Sequence, residues 1–132
     1  MSVQVTVQDE TVSGRRIGEL TLDFLTERIT VRELIRSRVY QEVRDYNARP
    51  TDTYLGLVQP EPAERTLNGY GAQRRTRWIS WERQYEQAVK AFRGNGVIIL
   101  IDGKQAEDLD EEIELRVDTH IAFLRLVPLV GG

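Results

Sequence analysis

The residues of this chain with the clearest chemical potential stand at its end, where "FLRLVPLVGG" occupies positions 123–132. A model α-carboxyl has a pKa of about 3.5, so a carboxylate at Gly132 is ionised at neutral pH and needs no base to act as a nucleophile. It is a weak nucleophile, and it depends on another protein for positioning and charge stabilisation. Gly131 and Gly132 have no Cβ, which lets such an end thread a narrow channel in conformations closed to other residues. Leu126, Val127, Leu129 and Val130 lead up to them. Exposed on a tail, these four are a liability unless a partner's groove buries them, at roughly 1.5–3 kcal/mol for each fully buried side chain. They read as a docking handle. Pro128, with fixed φ and no N–H, limits strand pairing at that point.

The other reactive side chains offer less. Cysteine is absent, which excludes disulfides, a thioester on this chain and thiol nucleophiles. His120 is the only histidine, and strand alternation in "DTHIAF" puts it on one face with Asp118, opposite Thr119. With no cysteine or second histidine to complete a metal site, it reads as an exposed strand residue. Asp108, Asp110, Glu111, Glu112 and Glu114 lack the regular spacing of a calcium loop and read as a solvated acidic rim that could steer the chain toward a basic partner. No metal, no bound cofactor and no catalytic residue are therefore expected. "RRTR" at 74–77 is locally basic, but the net charge is −3, so no nucleic-acid partner is expected. Lys90 and Lys104 are the only lysines among 18 basic residues. Arginine is a poor acyl acceptor because its guanidinium is never deprotonated.

These residues need a scaffold, and 132 residues suffice for one domain with its own core. "VQVTV" and "ELTLDFL" alternate at period two and predict an antiparallel hairpin, with Gly14 supplying a positive φ in the turn. "TVRE" at 30–33 has capping-box form, and Leu34, Ile35, Val39, Val43 and Tyr46 follow at helical spacing, predicting a helix over 31–47. Residues 49–78 hold three of the four prolines and read as a long loop. Ser80 is the expected N-cap of a second helix over 81–93, with Gly94 or Gly96 as a left-handed cap; "GNG" at 94–96 is thus a cap and not a phosphate loop. "VIILI" at 97–101 predicts a central strand buried on both faces. "DGKQ" predicts a turn, 107–115 an acidic irregular passage, and "THIAFLRLVPLV" the last strand. No apolar run approaches the length of a membrane span and the N-terminus lacks a secretory signal, so a cytoplasmic protein is expected.

This order, with a last strand running into Gly-Gly, resembles the α+β β-grasp fold of ubiquitin and of the small bacterial sulfur carriers. "GKQAEDL" at 103–109 is similar to ubiquitin's "GKQLED", and both follow an aliphatic strand. "HIAFLRLVPLVGG" looks like the tail of the molybdopterin-synthase small subunit, and "FLRL" is similar to ubiquitin's "LRLRGG". The resemblance covers topology over about 1–48 and motifs over about 97–132. It departs from the pattern in an insertion at 49–96, comprising the loop and second helix, and in a tail at 127–132 about two residues longer than the carriers'.

The resemblance implies a single β-grasp domain over 1–132, a mixed sheet with a helix across one face. It implies a substrate of an E1-like enzyme, not an enzyme itself. The Gly132 carboxylate would attack the α-phosphate of ATP, with ATP and Mg²⁺ bound by the activating enzyme. A protein modifier would then be joined to an amine of a target protein. The alternatives are a sulfur carrier ending in a thiocarboxylate and a β-grasp module that binds partners without covalent chemistry. An E2-like protein and a JAB-type protease are further implied partners. Lys104 matches the acceptor lysine of ubiquitin's "GKQ" and is either a candidate acceptor or a plain turn lysine.

Overall fold

The computed structural model describes residues 2–48, 57 and 79–126. The hairpin forms as its alternation requires. Strands β1 (Val3–Thr11) and β2 (Arg16–Phe24) pair antiparallel from Val3↔Phe24 to Asp9↔Gly18, with a bulge between Asp9 and Glu10. Gly14, at φ +87°, makes the turn. A short strand β3 (Arg28–Thr30) leads into helix α1 (Val31–Ala48). The capping box is realised in full: the Glu33 N–H donates to Thr30 Oγ1 at 3.1 Å, and the Thr30 N–H donates to Glu33 Oε1 at 3.1 Å. The next two orphan donors of the helix are also satisfied. The Val31 N–H donates to the Glu111 carbonyl at 3.0 Å and the Arg32 N–H to the Leu109 carbonyl at 2.8 Å.

Helix α2 (Trp81–Arg93) starts at Ser80, whose hydroxyl accepts from the Arg83 N–H, and it packs against α1, extending the helical layer. Its C-terminal turn differs from the expectation. Gly94 stands at φ −90°, and the left-handed position falls on Asn95 at φ +61°, a residue type that tolerates it. Asn47 clasps the two flanks of the intervening segment. Its Nδ2 donates to the Ile79 carbonyl and its Oδ1 accepts the Ile79 N–H, both at 3.0 Å. Leu57, within the expected loop, is a core residue.

The chain then makes β4 (Val97–Ile101), β5 (Lys104–Gln105), β6 (Glu112–Glu114) and β7 (Ile121–Arg125). The main sheet runs in the order β2-β1-β7-β4-β5, and β3 pairs with β6 in a separate two-stranded ladder. The middle strand is therefore β7, parallel to β1 and antiparallel to β4. β4 is not central, because only the two residues of β5 lie beyond it. Nor is it buried on both faces: Val97 and Ile99 enter the core, while Ile98 and Leu100 are half-buried. The architecture is α+β, a five-stranded mixed sheet with, among the described residues, two helices. One core joins Leu34, Ile35, Val39 and Val43 of α1 to Val5, Val7, Leu22, Phe24, Ile99, Ile121 and Phe123 of the sheet and to Ala88 and Phe92 of α2. No helix among the described residues is long and apolar enough to cross a membrane.

Candidate functional site

Of the sequence-predicted tail, Leu126 is described; Val127, Leu129, Val130, Gly131 and Gly132 lie outside the described residues. Leu126 is half-buried and still bound to the domain, its N–H donating to the Gly96 carbonyl at 3.1 Å. Lys104 is exposed in β5, following Asp102 and Gly103 at φ +50° and +83°. It lines a groove of about 480 Å³ with Asp102, Glu111, Glu112, Glu114 and Asp118. The predicted site residues that the structure describes thus sit apart, Leu126 leaving one end of the sheet and Lys104 on its short edge.

His120 is exposed but stands just ahead of β7, not within a strand as expected, and its backbone is locked to the turn. Its N–H donates to Asp102 Oδ1 and its carbonyl accepts the Asp102 N–H, both at 2.8 Å. Its ring Nε2 lies 3.0 Å from Gln8 Oε1 on the neighbouring strand. Period two carries this outer face along the sheet. Ile98 opposite Leu124 and Leu100 opposite Ala122 form an apolar strip on the side away from the core, with Gln8 beside it. Among the described residues no group of three or more carboxylates or histidines converges on a metal-binding arrangement.

The feature that sequence reasoning missed lies where β7 ends. Arg38 of α1 is 1% exposed and grips Asp9 with both terminal nitrogens, through Oδ1 and, at 2.6 Å, through Oδ2. Its Nη2 also donates to Glu42 Oε2 at 3.1 Å. Its guanidinium carbon stands 4.6 Å from the centre of the Phe123 ring, a cation–π distance. Asp9 Oδ2 takes a second cation, Arg125 Nη2 at 3.0 Å, and Glu42 Oε1 accepts the Leu57 N–H at 3.1 Å. Burial alone would lower the Arg38 pKa, but the carboxylates of Glu42 and Asp9 more than offset it and hold the guanidinium above its ordinary value. Two carboxylates and two guanidinia make the cluster neutral. The signal for it was in the periodicity. Asp9 continues the Val3, Val5, Val7 face, Arg38 and Glu42 fall within the Leu34, Ile35, Val39, Val43 stripe, and Arg125 continues Ile121 and Phe123. Four charges in apolar phase, summing to zero, indicate a buried ionic cluster.

Comparison with protein-family models, with curated proteins and with solved structures finds no match.

Proposed function

We propose that this chain is a β-grasp, ubiquitin-like modifier whose Gly131-Gly132 carboxylate is adenylated by an E1-like enzyme and conjugated to a target amine. The observation that carries this reading is the sheet order β2-β1-β7-β4-β5, with β7 parallel to β1 in the middle and the diglycine a short distance along the chain from the end of β7. A hairpin, a helix across one face, and a last strand inserted beside the first are the connections the resemblance calls for. In that role the carboxylate oxygen of Gly132, freed by processing if the chain continues, attacks the α-phosphorus of ATP and expels pyrophosphate. A target amine then attacks the acyl carbon, losing a proton and expelling AMP, to leave an amide. The domain contributes a firm base for the segment, and the half-buried Ile98, Leu100 and Leu124, around a buried Ala122, offer a partly accessible apolar strip to a partner.

The same strip is the observation that favours a second reading, a module that binds partners through the sheet and leaves its diglycine unused. The test is to express the chain with an N-terminal tag in its own host, with and without Gly131-Gly132, and to analyse captured species by mass spectrometry. A modifier gives an amide between Gly132 and a target lysine. A sulfur carrier gives exchange of one oxygen for sulfur at Gly132. Cellular activity that survives loss of both glycines leaves only the module.

A further inference from the structure

The ionic cluster at the end of β7 ties the β1–β7 ladder, through Asp9 and Arg125, to two parts of the chain outside that ladder: α1 through Arg38 and Glu42, and residue 57 through its N–H. Its members form a line of alternating charge. The Leu57 N–H rests on Glu42, Glu42 on Arg38, Arg38 on Asp9, and Asp9 on Arg125, the residue before the strand's last described bond at Leu126. Glu42 uses its two oxygens separately, Oε1 for the Leu57 N–H and Oε2 for Arg38, and the later links share an atom. Arg38 Nη2 serves both carboxylates, and Asp9 Oδ2 serves both guanidinia.

We propose that this line is a relay that couples the seating of Leu57 to the hold on the end of β7. The physical cause is neutrality in a buried place. Arg38 cannot leave, being 1% exposed and stacked on Phe123, whereas Arg125, with its side chain 24% exposed, is the most accessible of the four. If Glu42 loses its charge or turns away with Leu57, the cluster is left with two cations and one anion. Both guanidinia then compete for Asp9, and the excess charge is shed by the member with an exit, Arg125. Release of Arg125 loosens the strand at Leu126. Linkage makes the effect reciprocal, so loss of Arg125 leaves an excess of negative charge and weakens the hold of Glu42 on Leu57. For function, resting on the modifier reading above, the consequence is regulation: a partner that displaces Leu57 changes how firmly the segment bearing the diglycine is held at its base.

Native-state hydrogen exchange on the full chain tests the coupling without any partner. Glu42→Gln keeps an oxygen able to accept the Leu57 N–H, while its NH2 replaces the oxygen facing Arg38, so that guanidinium loses both the charge and the acceptor. Leu126 should exchange on the order of tenfold faster in this variant, as expected of a coupled network, while the amides of the β1–β2 ladder hold their rates. A purely structural role would shift all amides together, following the loss of global stability. Should Glu42→Gln fail to fold, Arg125→Gln reads the coupling in reverse, with faster exchange expected at Leu57. Unchanged exchange at Leu126 in the first variant, or at Leu57 in the second, overturns the relay. That outcome leaves the modifier reading standing, because the mass of the Gly132 product is measured separately; a chain that shows the coupling but no Gly132 chemistry removes the modifier reading and leaves the relay.

Discussion

Just ahead of β7, Glu114 meets Arg116 at 2.7 Å and Arg28 at 4.0 Å, with side chains 49%, 71% and 65% exposed; at the far end of the same strand Arg38, Asp9 and Glu42 meet with side chains 1%, 13% and 14% exposed. The two groups contain the same chemistry in different solvents. Near the start, water already solvates each charge, so forming a pair gains little beyond what it loses in side-chain freedom. At the end, Arg38 has given up its water and its neighbours most of theirs, and the partners are what make that burial tolerable. Among the described residues, two ion pairs at one end and three at the other do not account for the difference. The accessibility of the least exposed member does.

The largest test of that difference removes one charge from the buried group. Asp9→Asn takes the central anion from Arg38 and Arg125 while preserving shape, and it should cost about 3–5 kcal/mol of unfolding free energy in a denaturant titration, the range for orphaning a buried charge. A loss below about 1 kcal/mol, the value of an exposed pair, would erase the contrast between the two ends.

A buried polar residue without partners sharpens the comparison from the other side. Gln84 of α2 is fully buried, and neither of its side-chain amide atoms has a hydrogen-bond partner among the described residues. Gln84→Met, similar in volume, should raise stability by about 1–3 kcal/mol, since it removes an unmet desolvation cost and nothing else. Destabilisation on that change would mean that Gln84 is satisfied in solution.

The smallest effect is expected at the exposed pair. Its hydrogen bond to Arg116 and that residue's charge hold the Glu114 carboxyl below the ordinary glutamate value. A carboxylate with a depressed folded-state pKa contributes stability above its unfolded pKa and loses it as pH falls through the folded one. Arg116→Gln should therefore raise the Glu114 pKa toward the ordinary value in an NMR titration, with almost no change in unfolding free energy at neutral pH. A clear loss of neutral-pH stability would show that exposure is a poor guide here.

Much of the fold was legible because strong local signals agreed with the packing. Val3, Val5, Val7, Leu22 and Phe24 fix the hairpin's inner face, and Thr30 with Glu33 fixes the start of α1. The rank of β4 in the sheet was not legible. An apolar run such as "VIILI" announces burial but not which neighbour will flank it, and the parallel insertion of β7 between β1 and β4 depends on contacts across the whole chain. β3 and β6 were missed for a related reason: three residues each, acidic or basic on their outer faces, with Ile29 and Ile113 as their inward anchors. At the candidate site, the approach to the diglycine is legible from composition, whereas Asp9, Arg38, Glu42 and Arg125, taken singly, carry no signal that sets them apart from other charges. Their phase within apolar patterns carried the information, and it becomes decisive only when all four are considered together.

The start of α1 has a consequence in time. Its first amides rest on the carbonyls of Leu109 and Glu111, and the Leu115 N–H returns to the Glu27 carbonyl at 2.6 Å. On a ribosome, the hairpin and most of α1 emerge long before those acceptors exist, and β1 waits longer still for β7. Closing such long loops costs chain entropy before any bond is gained, which slows folding and favours completion in a late, concerted step. A nascent chain that stalls before residue 121 lacks the middle strand of its sheet and exposes the flank of β1, a template for pairing with other chains. Delivery of β7 is thus the event that converts an adhesive intermediate into a completed sheet.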